Sequence, residues 1–162
     1  MARTPNALRI VAAGVLIALT TAAPLRAENA TPYPDTRILP MAHSYGELVK
    51  RVNAAVEANR MGIVARASAT VGAESIGVEI PGNMVIMVFR PDFAVRMLKA
   101  SVPAGIEAPL RLYVTEDART GKATLTYRTP SGVFKPYGSA ALDEMARELD
   151  GIFAKIALEA TK

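Results

Sequence analysis

The sequence predicts an α+β domain of two layers, a mixed sheet of about five strands carrying three main helices chiefly on one face. Three observations point there. Met84–Phe89 is six consecutive apolar residues, rich in β-branched and aromatic types. That run is too short for a lone buried helix and fits a strand covered on both faces. Three other segments show apolar stripes at helical spacing. Leu110–Thr115 and Ala123–Tyr127 alternate apolar with polar residues and are joined by a glycine-bearing loop, the pattern of a β-hairpin.

In chain order, Ile38-Leu39-Pro40-Met41 reads as a short first strand, which Pro40 places at an edge or a strand end. Ser44 and Glu47 form a capping box for a helix whose stripe is Leu48, Val49, Val52, Ala55 and Val56, stopped by Gly62. Ile63, Ala65, Ala67, Ala69 and Val71 alternate with Arg66, Ser68 and Thr70 as a half-buried strand, its small alanines close under a helix. Gly72–Gly77 fits one helical turn, and Pro81-Gly82 turns the chain into the core strand. Pro91 opens a helix with Phe93, Ala94, Met97 and Leu98 on one side. After the hairpin, Thr129–Gly138 reads as a polar loop. Ser139 then caps a last helix with stripe Leu142, Met145, Leu149, Ile152, Phe153 and Ile156. The order is β-α-β-β-α-β-β-α, with a single domain over 38–160.

Residues 1–27 read as a secretory signal peptide. Arg3 and Arg9 give a positive start, Ile10 to Ala23 carries no charge, and a cut fits after Ala27. These 14 apolar-region residues fall short of the roughly 20 that a spanning helix needs. The expected location is periplasmic or secreted, with membrane attachment only through an uncleaved leader. Residues 28–37, with Pro32 and Pro34, read as a spacer. The whole chain has 19 Lys+Arg against 15 Asp+Glu. The leader holds three arginines (Arg3, Arg9, Arg26) and no acid, so 16 basic residues remain. That near-balance excludes a nucleic-acid footprint. Zero cysteines exclude disulfides, thiol catalysis and cysteine metal sites.

Several local patterns together resemble the bacterial family called domain of unknown function 302, over about residues 36–158. These are His43-Ser44-Tyr45 opening a capped helix, Gly77-Val78-Glu79-Ile80-Pro81 before the apolar strand, and Pro91 after it. Pro109–Val114 with Glu116-Asp117, Tyr127 followed by Pro130, and Tyr137-Gly138 before the final helix complete the set. The resemblance implies a compact two-layer α/β fold, self-association and no established activity. The chain departs from the family pattern at Ser68-Ala69, where Asp-His is frequent, and at Phe89-Arg90, where Gly-Asn is frequent.

The candidate sites follow from residue chemistry. His43, the single histidine, could pair with Glu116 for proton transfer, both being at element ends. The plainer reading is that it orders the turn before the capping box. Met41 and His43 could hold Cu(I), although the other methionines of the domain fall on or beside core stripes. Arg90 precedes a helix start and could seat an anion, against which Asp92 already offsets the dipole. Arg111 and Tyr113 should share one sheet face and, with Tyr127 and Arg90, are the candidate ligand or interface residues. The leading expectation is a non-enzymatic exported module, binding a small ligand or itself as a homodimer, with no cofactor. The alternatives are a His43-dependent enzyme and a copper-handling protein.

Overall fold

The computed structural model describes residue 29 and residues 31–162. The expected leader, 1–27, lies outside the described residues. The elements run β1 (Thr36–Ser44), α1 (Tyr45–Ala58), β2 (Gly62–Ala67), α2 (Ala69–Glu74), β3 (Asn83–Phe89), α3 (Pro91–Ala100), a 3-10 turn (Pro103–Glu107), β4 (Leu110–Glu116), β5 (Lys122–Arg128), α4 (Pro130–Phe134), a second 3-10 turn (Lys135–Tyr137) and α5 (Ala140–Thr161). No helix among the described residues is long and apolar enough to cross a membrane.

One five-stranded sheet has the order β1-β5-β4-β3-β2, and every neighbouring pair is antiparallel. The α+β, two-layer expectation holds, but the mixed sheet is corrected to a wholly antiparallel one. The reason is topological. The α1 crossover joins β1 and β2, which point the same way but lie at opposite edges, so no two parallel strands ever become neighbours. Pro40 does sit in an edge strand, and the β1–β5 register shifts between Pro40 and Ser44, as an edge bulge allows.

The helices close over one face. Ile86 and Val88 of β3, Leu110, Leu112 and Val114 of β4, and Ala123, Leu125 and Tyr127 of β5 point into the core. They meet Leu48, Val52 and Val56 of α1, Phe93 and Met97 of α3, and Leu142, Met145, Leu149, Phe153 and Ile156 of α5. The stripes expected for α1 and α5 are the ones buried. Both helices start at serine caps: Ser44 Oγ accepts from Glu47 N at 3.4 Å, and Ser139 Oγ accepts from Leu142 N at 3.5 Å. Such caps satisfy amides that the first turn leaves without partners.

Four local expectations change. The second strand stops at Ala67, because Ser68 caps α2 by accepting from Val71 N at 3.3 Å. Its alanines are exposed rather than tucked under a helix. The stretch 129–138 is not an open loop. Thr129 caps α4, Asp150 Oδ1 accepts from Ser131 N at 2.9 Å, and Phe134 enters the core at 1% exposure. The expected spacer is shorter, since β1 begins at Thr36. Asp35 packs directly against Gly132 where a Cβ would otherwise stand, and its carbonyl accepts from Thr129 N at 2.9 Å. Finally, β3 is covered on one face only: Ile86 and Val88 are buried, while Val85, Met87 and Phe89 are half-buried on the other side.

Candidate functional site

With α1, α3, α4 and α5 gathered on one side, the opposite sheet face stays open apart from the start of α2 at its β2 edge. Residues opposed across antiparallel strands share a face, so the registers draw rows across it. Ala67, Val85, Tyr113, Thr126 and Ile38 form one row, running from β2 to β1. Ala65, Met87 and Arg111 begin the next. Tyr113 is the middle residue of the middle strand and stands at the centre of the face, 40% exposed. Ile38 at the far edge is also exposed. This surface sets Tyr113, Val85, Met87 and Ile38 among Thr126 and Arg111, so it carries more apolar area than the polar alternation usual for a sheet face in water.

Beside Tyr113 lies a shallow hollow of about 450 Å³, walled by Ala67, Ser68, Ala69, Asn83 and Val85. Its polar groups already have partners. Ser68 Oγ donates to Asn83 O at 2.8 Å, and Asn83 Oδ1 accepts from Ala69 N at 2.9 Å. The hollow therefore offers few free hydrogen-bonding groups to a polar ligand and a mostly apolar wall.

A compact knot lies at the same end of the sheet. Glu116 and Gly82 are joined twice: Glu116 N donates to Gly82 O at 2.8 Å, and Gly82 N donates to Glu116 Oε2 at 2.8 Å. The Tyr45 ring lies flat against Gly82, so close that an added Cβ would sit 2.6 Å from two ring carbons. Burial raises the Tyr45 phenol pKa, and the nearby Glu116 carboxylate adds to the rise. Glycine at 82 thus serves a close approach as well as a turn.

The structure separates most of the residues that composition alone had grouped. His43 and Glu116 lie on β1 and β4 with β5 between them, two strand spacings or about 10 Å apart. No hydrogen bond joins them among the described residues, and the Glu116 carboxylate is engaged by Gly82. Met41 is a core residue at 9% exposure, so a Met41/His43 copper pair would have to draw its thioether out of the core. Among the described residues no group of three or more His, Asp or Glu is placed to hold a metal. Arg90 does not reach the open face. Its Nε and Nη2 donate to the Asp92 carboxylate at 2.7 and 3.0 Å, and its guanidinium stacks 4.2 Å from the Phe93 centroid. Tyr127 is corrected from the interface face to the core: it is 8% exposed and its ring meets Phe153 at 5.7 Å. The β5 alternation Ala123, Leu125, Tyr127 carries that phase, and it points Tyr127 away from Tyr113. Arg111 and Tyr113 are the pair that the structure does leave on the open face.

Two contributors were not among the sequence candidates. Tyr45 reads locally as an ordinary first-turn helical residue, and only the fold sets it on Gly82. Arg128 has the open-face phase in β5 and lies one step beyond the paired Leu112 and Tyr127, next to Arg111.

A family model described as domain of unknown function DUF302 matches residues 37–156. Among solved structures, the crystal structure of an uncharacterized conserved protein DUF302 from Bacillus stearothermophilus is similar, with a TM-score of 0.70 at 18% identity. The match covers 80% of this chain and 99% of that chain, and at such low identity it shows a common fold. A comparison with curated proteins finds no match.

Proposed function

The chain belongs to the domain of unknown function 302 family, and we propose that it works by binding rather than by catalysis, pairing with a second copy of itself through the open sheet face. The observation that carries this is the placement of Tyr113 at the centre of a face flanked by Val85, Met87 and Ile38. Tyrosine and arginine, here Tyr113 beside Arg111, are among the residue types enriched at the centres of interfaces. A two-fold axis passing near Tyr113 would set this patch against its own copy, as an isologous dimer requires.

Size supports the reading. Five strands about 4.8 Å apart and about seven residues long make a face on the order of 550 Å². A stable interface needs about 800 Å² per partner. The neighbouring segment from α2 into β3 exposes Val71, Ile76, Val78 and Ile80, further apolar surface that a partner could cover. The leader expected over 1–27 would place this module in the periplasm; intact mass of protein recovered from that compartment tests it, with a chain starting at Glu28 expected.

Sedimentation velocity across a concentration series tests the pairing. The wild-type protein should sediment as a dimer with a concentration-dependent melt, and Tyr113→Glu as a monomer with the wild-type circular-dichroism spectrum and a melt independent of concentration. A wild-type chain that stays monomeric at its highest soluble concentration overturns the reading.

A further inference from the structure

The geometry points to a second site: a pocket at the end of the sheet, between Arg111 and Arg128, that takes a small monocarboxylate. The pocket holds about 110 Å³ and is walled by Glu107, Leu110, Arg111, Arg128 and Val133. It lies where β4 begins and β5 ends, beside the 3-10 turn of Glu107 and α4.

The two guanidinium groups are neighbours by register, since Leu112 pairs with Tyr127 and the next residues are Arg111 and Arg128. Like charges opposed across strands repel, and no ion pair among the described residues neutralises either one. Arg128 is also short of acceptors. Its Nη2 reaches Gly132 O at a long 3.3 Å, its face lies 4.3 Å from the Tyr33 centroid, and its Nε is buried with no hydrogen-bond partner among the described residues. The single acid in the pocket, Glu107, is turned to Tyr137, whose hydroxyl donates to Glu107 Oε1 at 2.9 Å. The exposed Arg111 guanidinium and Arg128 Nη1, for which no acceptor appears among the described residues, fit the paired oxygens of a carboxylate.

The remaining walls narrow the class. Two arginines and one glutamate leave a net charge of one, which a monoanion balances and a phosphate dianion exceeds. Leu110 and Val133 present apolar surface suited to a short alkyl chain, which phosphate lacks. The pocket is complete within one chain, and because Arg111 also lies on the face proposed to pair, a variant that does not pair separates the two readings.

Calorimetric titration with butyrate, butyramide and inorganic phosphate tests it, carried out on the wild-type protein and on Tyr113→Ala, which removes the central ring without adding a charge beside Arg111. Butyrate should bind both proteins, and neither butyramide nor phosphate should compete with it. Arg111→Gln should weaken butyrate at least about tenfold, as expected for one lost charge-assisted hydrogen bond. Arg111 is exposed and its side chain makes no hydrogen bond or ion pair among the described residues, so this variant keeps the fold. Arg128→Gln, which also touches α4, is informative where its melt matches wild type, and should weaken binding by a similar factor. Butyrate binding unchanged in Arg111→Gln, equal binding of butyramide, tighter binding of phosphate, or no butyrate binding at all would each overturn the site.

Discussion

Gly82 sets the position of the Tyr45 ring, and a single methyl group tests that contact. In Gly82→Ala the new Cβ would lie 2.6, 2.6 and 2.9 Å from three ring carbons. Ordinary carbon contacts are about 3.5–4.0 Å, so something must retreat by about 1 Å. If the backbone at 82 moves, it stretches both 2.8 Å hydrogen bonds to Glu116, each worth about 0.5–1.5 kcal/mol. If the ring moves, it loses packing against the core. Either route costs about 1–3 kcal/mol, the usual range for overpacking. Residue 82 has no left-handed backbone angle, so the cost comes from the ring and not from conformational strain. In a Tyr45→Ala background the same substitution should therefore cost almost nothing, or stabilise by about 0.4–1 kcal/mol by restricting the unfolded chain. Urea unfolding of the four proteins, at constant m, gives the coupling directly. An equal cost for Gly82→Ala in both backgrounds would refute the role assigned to the ring.

The two tyrosines of the hairpin should respond in opposite ways. Tyr127→Ala, which empties a core position against Phe153, should lower stability by about 3–5 kcal/mol, whereas Tyr113→Ala should stay within about 0.5 kcal/mol in the monomer; chemical denaturation of each variant decides it. Ser139→Ala removes the cap of α5 and should cost about 1 kcal/mol, read as a shift in the urea midpoint; no shift would mean that the 3.5 Å bond contributes nothing. Acid should weaken the fold through Asp92, Asp117 and Glu148, whose pKa values are lowered by hydrogen bonds from Arg90, from the Thr120 amide and from Arg96 respectively. Their folded pKa values lie below the ordinary 3.8 and 4.5, so their contribution is present above those values and is lost as pH falls through the folded ones. All three are exposed, so salt should shrink the effect, and Asp117→Asn should flatten the acid limb of stability against pH. A limb unchanged in that variant would remove Asp117 from the account.

What the sequence determined by itself is whatever depends on near neighbours in the chain. The stripes of α1 and α5, the serine caps at 44 and 139, the hairpin around Gly121 and the outward phase of Arg111 and Tyr113 are properties of spacing within a few residues. They were therefore visible without a fold. Its errors fall where a distant residue outvotes local pattern. Ser68 reads as one more polar step of a strand until Asn83, across the turn, anchors it and lets it cap α2. The 129–138 stretch reads as a loop until Asp150 of α5 supplies an acceptor for Ser131 N and the core takes up Phe134.

Only tertiary structure decided the rest. It sent β1 and β2 to opposite edges, which made the sheet antiparallel throughout. It put β5 between His43 and Glu116, and it laid Arg128 beside Arg111 from strands whose charges look unrelated in the sequence. Periodicity tells which way a side chain points from its own strand. The side chain it meets there depends on strand order and register, and these arise from burial summed over the whole chain.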